Sequence, residues 1–458
     1  FAQAQVVIHS PAVRPDNKYL IAARNAGAEV TQEMSLFIEA CPAKSVGITG
    51  SNGKTTTTLL CYEMLCEIYE RAQPELEGKW ADPVAKPPKT GKRVWLGGNV
   101  GTPLINRLEE ITKDDVVVLE LSSFQLMDGH RIKKSCDVAL ITNITPNHLD
   151  WHKDFEEYVR AKSAVYRYSA NGWAIFNLNG DGLGELAKER RASGSRVYTY
   201  SSENEADWVW SDGPDHAMAL ISCHNDQIRI EDRLYDTADT YNPFPLTRQD
   251  LRLPGRFNWS NAVGAIAACI GVIRTDYEAR AFCTRGLRRF RCVEHRLELC
   301  GELNGALVYN DSIATDPAAT LAALSAFDWR IHLILGGGSK NVSYAGLCRR
   351  IVAHRGIKAI YLQGATAPAI KAAITSAVGA TYMSPLHECS TFDEACERAF
   401  AALQPGDVLL MSPASTSFYE YAPGKKFANF EERGKHFKAL IAKKLSEPRP
   451  EGRGPGNA

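Results

Sequence analysis

The chain has 458 residues, 45% of them hydrophobic and 23% charged, with 53 basic and 53 acidic residues and a formal charge of zero. That balance excludes a bulk attraction to nucleic acid or to an anionic membrane surface, so any anion has to be held by local devices. The twelve cysteines are scattered, with no CxxC pair and no Cys/His cluster at zinc spacing, which argues against a metal or disulfide framework and for reduced thiols.

AQVVIHSP predicts a first strand stopped by Ser10 and Pro11, with a helix over about Asn17 to Ala26, as in the tail of an α/β unit. KSVGITGSNGKTTTTLLCYEML then runs strand, glycine-rich turn and helix in immediate succession. Arg71 to Arg93, rich in proline and charge, reads as an exposed insertion. DDVVVLELSSFQL and CDVALITNITPNHLD each place polar residues directly after a buried-strand run, where open parallel sheets put their ligands. SRVYTYSS, AMALISCHN and QIRIEDRLYD, within Trp173 to Thr247, suggest a small antiparallel appendage. PGRFNWSNAVGAIAACIGV opens a helix that either Asn258 or Asn261 could cap. GALVYND, RIHLILGG, KAIYLQG and DVLLMSP form a second α/β series, and residues 448–458 read as a disordered tail. No stretch reaches the roughly 18 to 20 apolar residues of a membrane helix.

The chemistry concentrates first in GITGSNGKTTTT. Gly47, Gly50 and Gly53 let backbone N–H groups turn inward at a helix start, where they and the helix dipole hold phosphate. Lys54 then bridges the β and γ phosphates, and Thr55 holds the Mg²⁺ that screens them. Glu120 at one strand end and His148 beyond the next can both reach metal beside the loop. Lys162, in the helical run YVRAKSAVY, reads from its surroundings as a solvated surface lysine.

The spacing GxxGxxGKT resembles the ATP loop of the Mur ligase family, a loop shared with folylpolyglutamate synthetase. GGNVGTPL, LELSSFQL, TNITPNHLDWH, RAKSAVY, PGRFNWSNAVGA, VEHRLE, NDSIATD, LGGGSKN, SPASTSF and FANFEERG, in this order, are similar to the family's glutamate-adding members. The resemblance implies an α/β chain in three parts. Residues 1–43 would be the remnant of a uridine-binding domain, 44–288 a central P-loop doubly wound domain, and 289–447 a C-terminal Rossmann-like ligase domain. It further implies a monomeric cytoplasmic ligase that uses ATP and two Mg²⁺ to join glutamate to a UDP-N-acetylmuramoyl-L-alanine acceptor.

Residue by residue, the resemblance puts ATP on Gly50, Asn52, Gly53, Lys54, Thr55, Thr56 and Asn261. Arg296 would meet phosphate and Asp311 the ribose, both carried to the central crevice by domain closure. It makes Thr55, Glu120, His148 and Lys162 the metal set, with Lys162 carbamylated, because an ammonium there would repel the metal. Asn99 and His148 would meet the muramoyl substrate, and Thr315, Lys340, Ser417 and Phe430 the glutamate.

NDSIATD departs from the family's NDSKATN by Ile313 and Asp316, which removes a charge-assisted partner worth about 1.5 to 3 kcal/mol. Lys425 or Lys426, in the inserted Tyr419 to Lys426 segment, could replace that cation or be a solvated loop lysine. Both D- and L-glutamate stay open here. A folate-type ligase and a non-catalytic ATP-binding protein are the competing readings. SSFQL with NFEERG opposes the first, and retention of Glu120, His148 and Lys162 opposes the second.

Overall fold

The computed structural model describes residues 3–70, 92–149, 151–169, 171–202, 218–224, 227–232, 251, 253–273, 285–290, 293–340, 342–377, 384–422 and 424–446. The insertion read at Arg71 to Arg93 lies outside these except for its last two residues, and the 448–458 tail lies wholly outside. The chain divides into two compact units, Phe1–Arg252 with Phe257–Phe290, and Leu253–Arg256 with Arg291–Ala458. Among the described residues, no helix is long and apolar enough to cross a membrane.

The first unit begins with a parallel pair, β1 (Val6–Ile8) and β2 (Glu29–Thr31), joined through the Lys18–Asn25 helix. Asn17 caps that helix by accepting from the Tyr19 N–H at 2.9 Å. The remaining strands form one sheet: β3 (Lys44–Thr49), β4 (Val94–Gly98), β5 (Val116–Glu120), β6 (Val138–Ile141), β7 (Trp173–Asn177), β8 (Arg196–Tyr200), β9 (Met218–His224) and β10 (Gln227–Asp232). Their spatial order is β10-β9-β8-β7-β6-β3-β5-β4. VVVLE and VALI are buried along their whole length, as strands covered on both faces must be. Chain order reverses around β3, so the loops after β3, β5 and β6 share one end of the sheet.

The antiparallel appendage expected from SRVYTYSS onwards is corrected. β8 runs parallel to β7, β9 runs parallel to β8, and only β9 and β10 are antiparallel. The Leu183–Ala192 helix supplies the crossover that lets β8 return in parallel, a link that alternation within single strands does not reveal. Asn258 and Asn261 lie inside the Arg256–Ile273 helix, so neither is its cap.

The second unit carries β11 (Glu298–Leu303), β12 (Ala306–Asn310), β13 (Ile331–Leu335), β14 (Ile357–Leu362), β15 (Leu386–Glu388) and β16 (Val408–Met411), in the order β11-β12-β16-β13-β14-β15. Only the β11–β12 pair is antiparallel. Alternate residues of β13 feed opposite faces: Leu333 and Leu335 enter one core with Ile360 and Leu362, and Ile334 enters the other with Leu409, Met411, Phe437 and Ile441. Phe437 and Ile441 belong to the Phe430–Ser446 helix, which is thereby anchored beside the sheet. A short antiparallel hairpin, β17 (Glu420–Ala422) and β18 (Lys425–Lys426), precedes that helix.

Candidate active site

In the first unit the site is built on the turn after β3. Gly50 and Gly53 have φ of 153° and 81°, and a Cβ on them would collide with Thr142 Oγ1 and Asn261 Oδ1 respectively. Gly53 caps the Lys54–Tyr69 helix from a left-handed conformation without a side-chain bond, so the helix start faces outward with its positive dipole end. Thr55 is half-buried and Thr56 buried in the first turn. The loop is clamped from the β6 end. Asn52 N–H donates to Asn143 Oδ1 at 2.9 Å, while Thr142 Oγ1 donates to Asn52 O at 2.6 Å.

Two lysines converge on one carbonyl. Lys54 Nζ donates to Gly50 O and Ser51 O, each at 3.0 Å, and Lys162 Nζ donates to the same Gly50 O at 2.9 Å. Lys162 is only 1% exposed, which overturns its reading as a solvated surface residue. The Phe155–Arg167 helix buries Tyr158, Ala161, Lys162 and Val165 along one face, and Tyr158 and Val165 belong to the apolar core. Burial holds the Lys162 amine well below the usual lysine range; the Lys54 charge pushes it further down, and Glu120 opposes both.

Glu120 is 1% exposed. Its Oε1 accepts from Asn99 Nδ2 at 2.9 Å, whereas Oε2 is buried with no hydrogen-bond partner. A buried carboxylate oxygen left so is costly, and a hard cation would satisfy it. His148 is exposed at φ 55°, its ring edge-on to Phe124 at 4.9 Å. Among the described residues no three His, Cys, Asp or Glu side chains form a metal cage. Mg²⁺ is commonly held by one or two carboxylates together with substrate phosphates. Asn261 stands against Gly53 and donates to Asn258 Oδ1 at 3.2 Å.

Several supporting residues escaped the sequence reading. Tyr158 places its ring under Lys162 Nζ, 4.7 Å away, and its hydroxyl against Ser51 Oγ at 2.8 Å. Buried His152 meets Ser123 Oγ at 2.9 Å and donates its N–H to His148 O at 2.9 Å, tying the β5 and β6 loops together. The only signal for them was polar residues following buried strands.

The second unit gathers its candidates at the carboxyl ends of β12, β13 and β16. Lys340 Nζ donates to Thr315 Oγ1 at 3.3 Å, Ser417 is buried, and Phe430 opens the last helix with its carbonyl accepting from Ser312 Oγ at 2.7 Å. Asp316 caps the Pro317–Leu324 helix by accepting from Ala319 N–H at 3.0 Å, a task Asp and Asn perform equally well. Ile313 is half-buried, and Lys425 and Lys426 are exposed on β18. Arg296 has a buried Nε without a partner.

Asp311 is buried and accepts from Ser412 Oγ at 2.7 Å and Leu297 N–H at 3.2 Å. Burial raises its carboxyl from 3.8 to about 7, against the opposing pull of Ser412 and Arg296. Because the folded value lies above the unfolded one, folding takes up a proton between them, and stability falls as pH rises through about 7. Asp311→Asn is therefore expected to flatten the melting temperature between pH 5 and 8 and to be relatively more stable at pH 8. Parallel profiles for the two proteins across that range would refute this.

Residues 48–269 match the Mur ligase middle domain and residues 295–415 the Mur ligase, glutamate ligase domain. The UDP-N-acetylmuramoylalanine--D-glutamate ligase of Acetivibrio thermocellus is 38% identical over 440 residues, 95% of this chain and 82% of that protein. Its namesake from Clostridium tetani is 36% identical over 438 residues, with the same coverage. A solved UDP-N-acetylmuramoyl-L-alanyl-D-glutamate--2,6-diaminopimelate ligase superposes with a TM-score of 0.58 at 16% identity, covering 96% of this chain and 92% of its own. The UDP-N-acetylmuramate-alanine ligase of Thermotoga maritima gives 0.54 at 17%, covering 96% and 85%. At such identities the two structures establish the α/β fold alone.

Proposed function

We propose that this chain, which belongs to the Mur ligase family, joins D-glutamate to UDP-N-acetylmuramoyl-L-alanine in an ATP-dependent, ADP-forming reaction. Its relatives at 33–38% identity are named UDP-N-acetylmuramoylalanine--D-glutamate ligases. The observation that carries the reading is the meeting of Lys54, Lys162 and Glu120 around the phosphate loop. Two lysines pressed on one carbonyl, beside a carboxylate with an orphan oxygen, form a site whose charges are balanced by a polyphosphate and a cation.

Lys54 leaves the Gly50 and Ser51 carbonyls for the β and γ phosphate oxygens, and Thr55, Thr56 and the turns at Gly50, Asn52 and Gly53 seat the rest of the triphosphate. Glu120, with Thr55 and His148, would hold Mg²⁺, which would supply charge neutralisation for phosphoryl transfer to the acceptor's carboxylate. Burial and the Lys54 charge both push the Lys162 amine well below the usual lysine range, towards the neutral form that adds CO₂. The resulting carbamate would exchange an amine, which repels metal whenever it is protonated, for an oxygen ligand. Asn99 orients Glu120 from the acceptor side, and Asn261 backs the loop.

In the second unit we assign Arg296 to phosphate and Asp311 to the nucleotide ribose. Lys340, Thr315, Ser417 and Phe430 are assigned to the incoming amino acid. The D-configuration rests on the relatives' names, and Ile313 requires that its side-chain carboxylate be held by other groups than the lysine of NDSKATN. We place the reaction in the cytoplasm and in a monomer. The test is phosphate release from ATP and UDP-N-acetylmuramoyl-L-alanine with each glutamate enantiomer. Release dependent on D-glutamate is expected; release with L-glutamate alone reverses the stereochemical assignment, and none with either rejects the reaction.

A further inference from the structure

Arg433 is the largest fully buried side chain of the described residues, at 0% exposure, and among those residues it forms no ion pair. Its guanidinium is spent on loops instead. Nε donates to Ser312 Oγ at 3.0 Å and one terminal nitrogen to Ser312 O at 2.8 Å, while the other reaches Ser415 O and Thr416 O, both at 3.1 Å. Thr416 in turn exchanges backbone bonds with Gly338, at 2.8 and 3.2 Å, in the run that leads to Lys340. Ser312 Oγ passes the connection back to Phe430 O at 2.7 Å.

Burial is the main cause that lowers this guanidinium to about 10, with Tyr419 and Asp311 opposing it. A buried charge without a counter-ion is a poor way to fill space, since a well-packed apolar side chain avoids the desolvation. A rigid planar fork, by contrast, can fix the loops after β12 and β16 against each other, and through Thr416 and Gly338 the loop after β13, which an apolar residue cannot do and a lysine does less completely. The loops it joins carry Thr315, Lys340 and Ser417, and its own helix starts at Phe430.

We propose that Arg433 is a positioning residue for the amino-acid subsite, setting the geometry of the loops after β12, β13 and β16 without touching substrate. This rests on the assignment of Thr315, Lys340, Ser417 and Phe430 to glutamate, and it explains how that subsite stays ordered although Ile313 contributes no charge. A displacement of such groups by about an ångström is enough to change rates by around a hundredfold.

The test compares wild type with Arg433→Met, Arg433→Lys and Ser312→Ala in the full chain. Steady-state kinetics and hydrogen exchange of 312–316, 336–340 and 415–418 are the two readouts. Arg433→Met is expected to raise KM for glutamate about tenfold or more with KM for ATP within about twofold, and Arg433→Lys to recover part of the loss. Ser312→Ala, the milder variant that decides the matter if Arg433→Met does not fold, is expected to raise the same KM about threefold. Exchange in all three loops should quicken in each variant. Unchanged loop exchange, or equal rises in both KM values, overturns the proposal. Quickened loop exchange in a protein whose wild type shows no glutamate-dependent phosphate release upholds the role of Arg433 and rejects the glutamate reading.

Discussion

Lys54→Ala is expected to lower kcat for ligation by roughly a thousandfold or more, about 4 kcal/mol of transition-state stabilisation. The lysine sits at the first helical position after Gly53, with its ammonium group on the carbonyls of the phosphate loop itself. The same change removes the Lys54 charge from the Gly50 carbonyl and so relieves the buried Lys162 amine that shares it. The melting temperature should therefore hold or rise while activity disappears. Substantial glutamate-dependent ADP formation by the variant would sink the assignment of the loop, and a large fall in melting temperature would contradict the charge argument.

Glu120→Gln is expected to cost about a hundredfold in kcat at limiting Mg²⁺. Glutamine keeps the length and can still accept from Asn99 Nδ2, so the hydrogen bond at 2.9 Å survives. What goes is the negative charge and the second oxygen, the one without a partner. If Glu120 merely anchored Asn99, the variant would retain nearly full activity. If it holds the cation, activity falls, the apparent requirement for Mg²⁺ rises and stability is unchanged or better, because burying a neutral amide is cheaper than burying a carboxylate. Titrating Mg²⁺ against rate for both proteins separates the two cases.

Both expectations depend on residues that were visible in the sequence. GITGSNGKTTTT announces its structure locally, because a strand, glycines needed at positive φ and a helix start all lie within one short stretch. VVVLE and VALI are legible for a similar reason: a short apolar run followed at once by polar residues fits the buried centre of a parallel sheet. The strand at Arg196–Tyr200 was legible as a strand, but its parallel direction was not, since direction is settled by the crossover helix before it. Asn258 and Asn261 follow a Pro-Gly turn that promises a helix start, yet the helix begins at Arg256 and turns Asn261 onto Gly53.

The amino-acid sequence by itself determined the secondary elements, the phosphate loop and the order in which polar residues follow each strand, because these depend on neighbours a few positions away. Only the tertiary structure decided that Lys162 is buried against Gly50, that Glu120 keeps one oxygen without a partner, and that Arg433 ties the loops after β12 and β16. Each of these is a meeting of groups far apart in the chain, and its energy comes from desolvation, which a residue acquires from whatever packs around it.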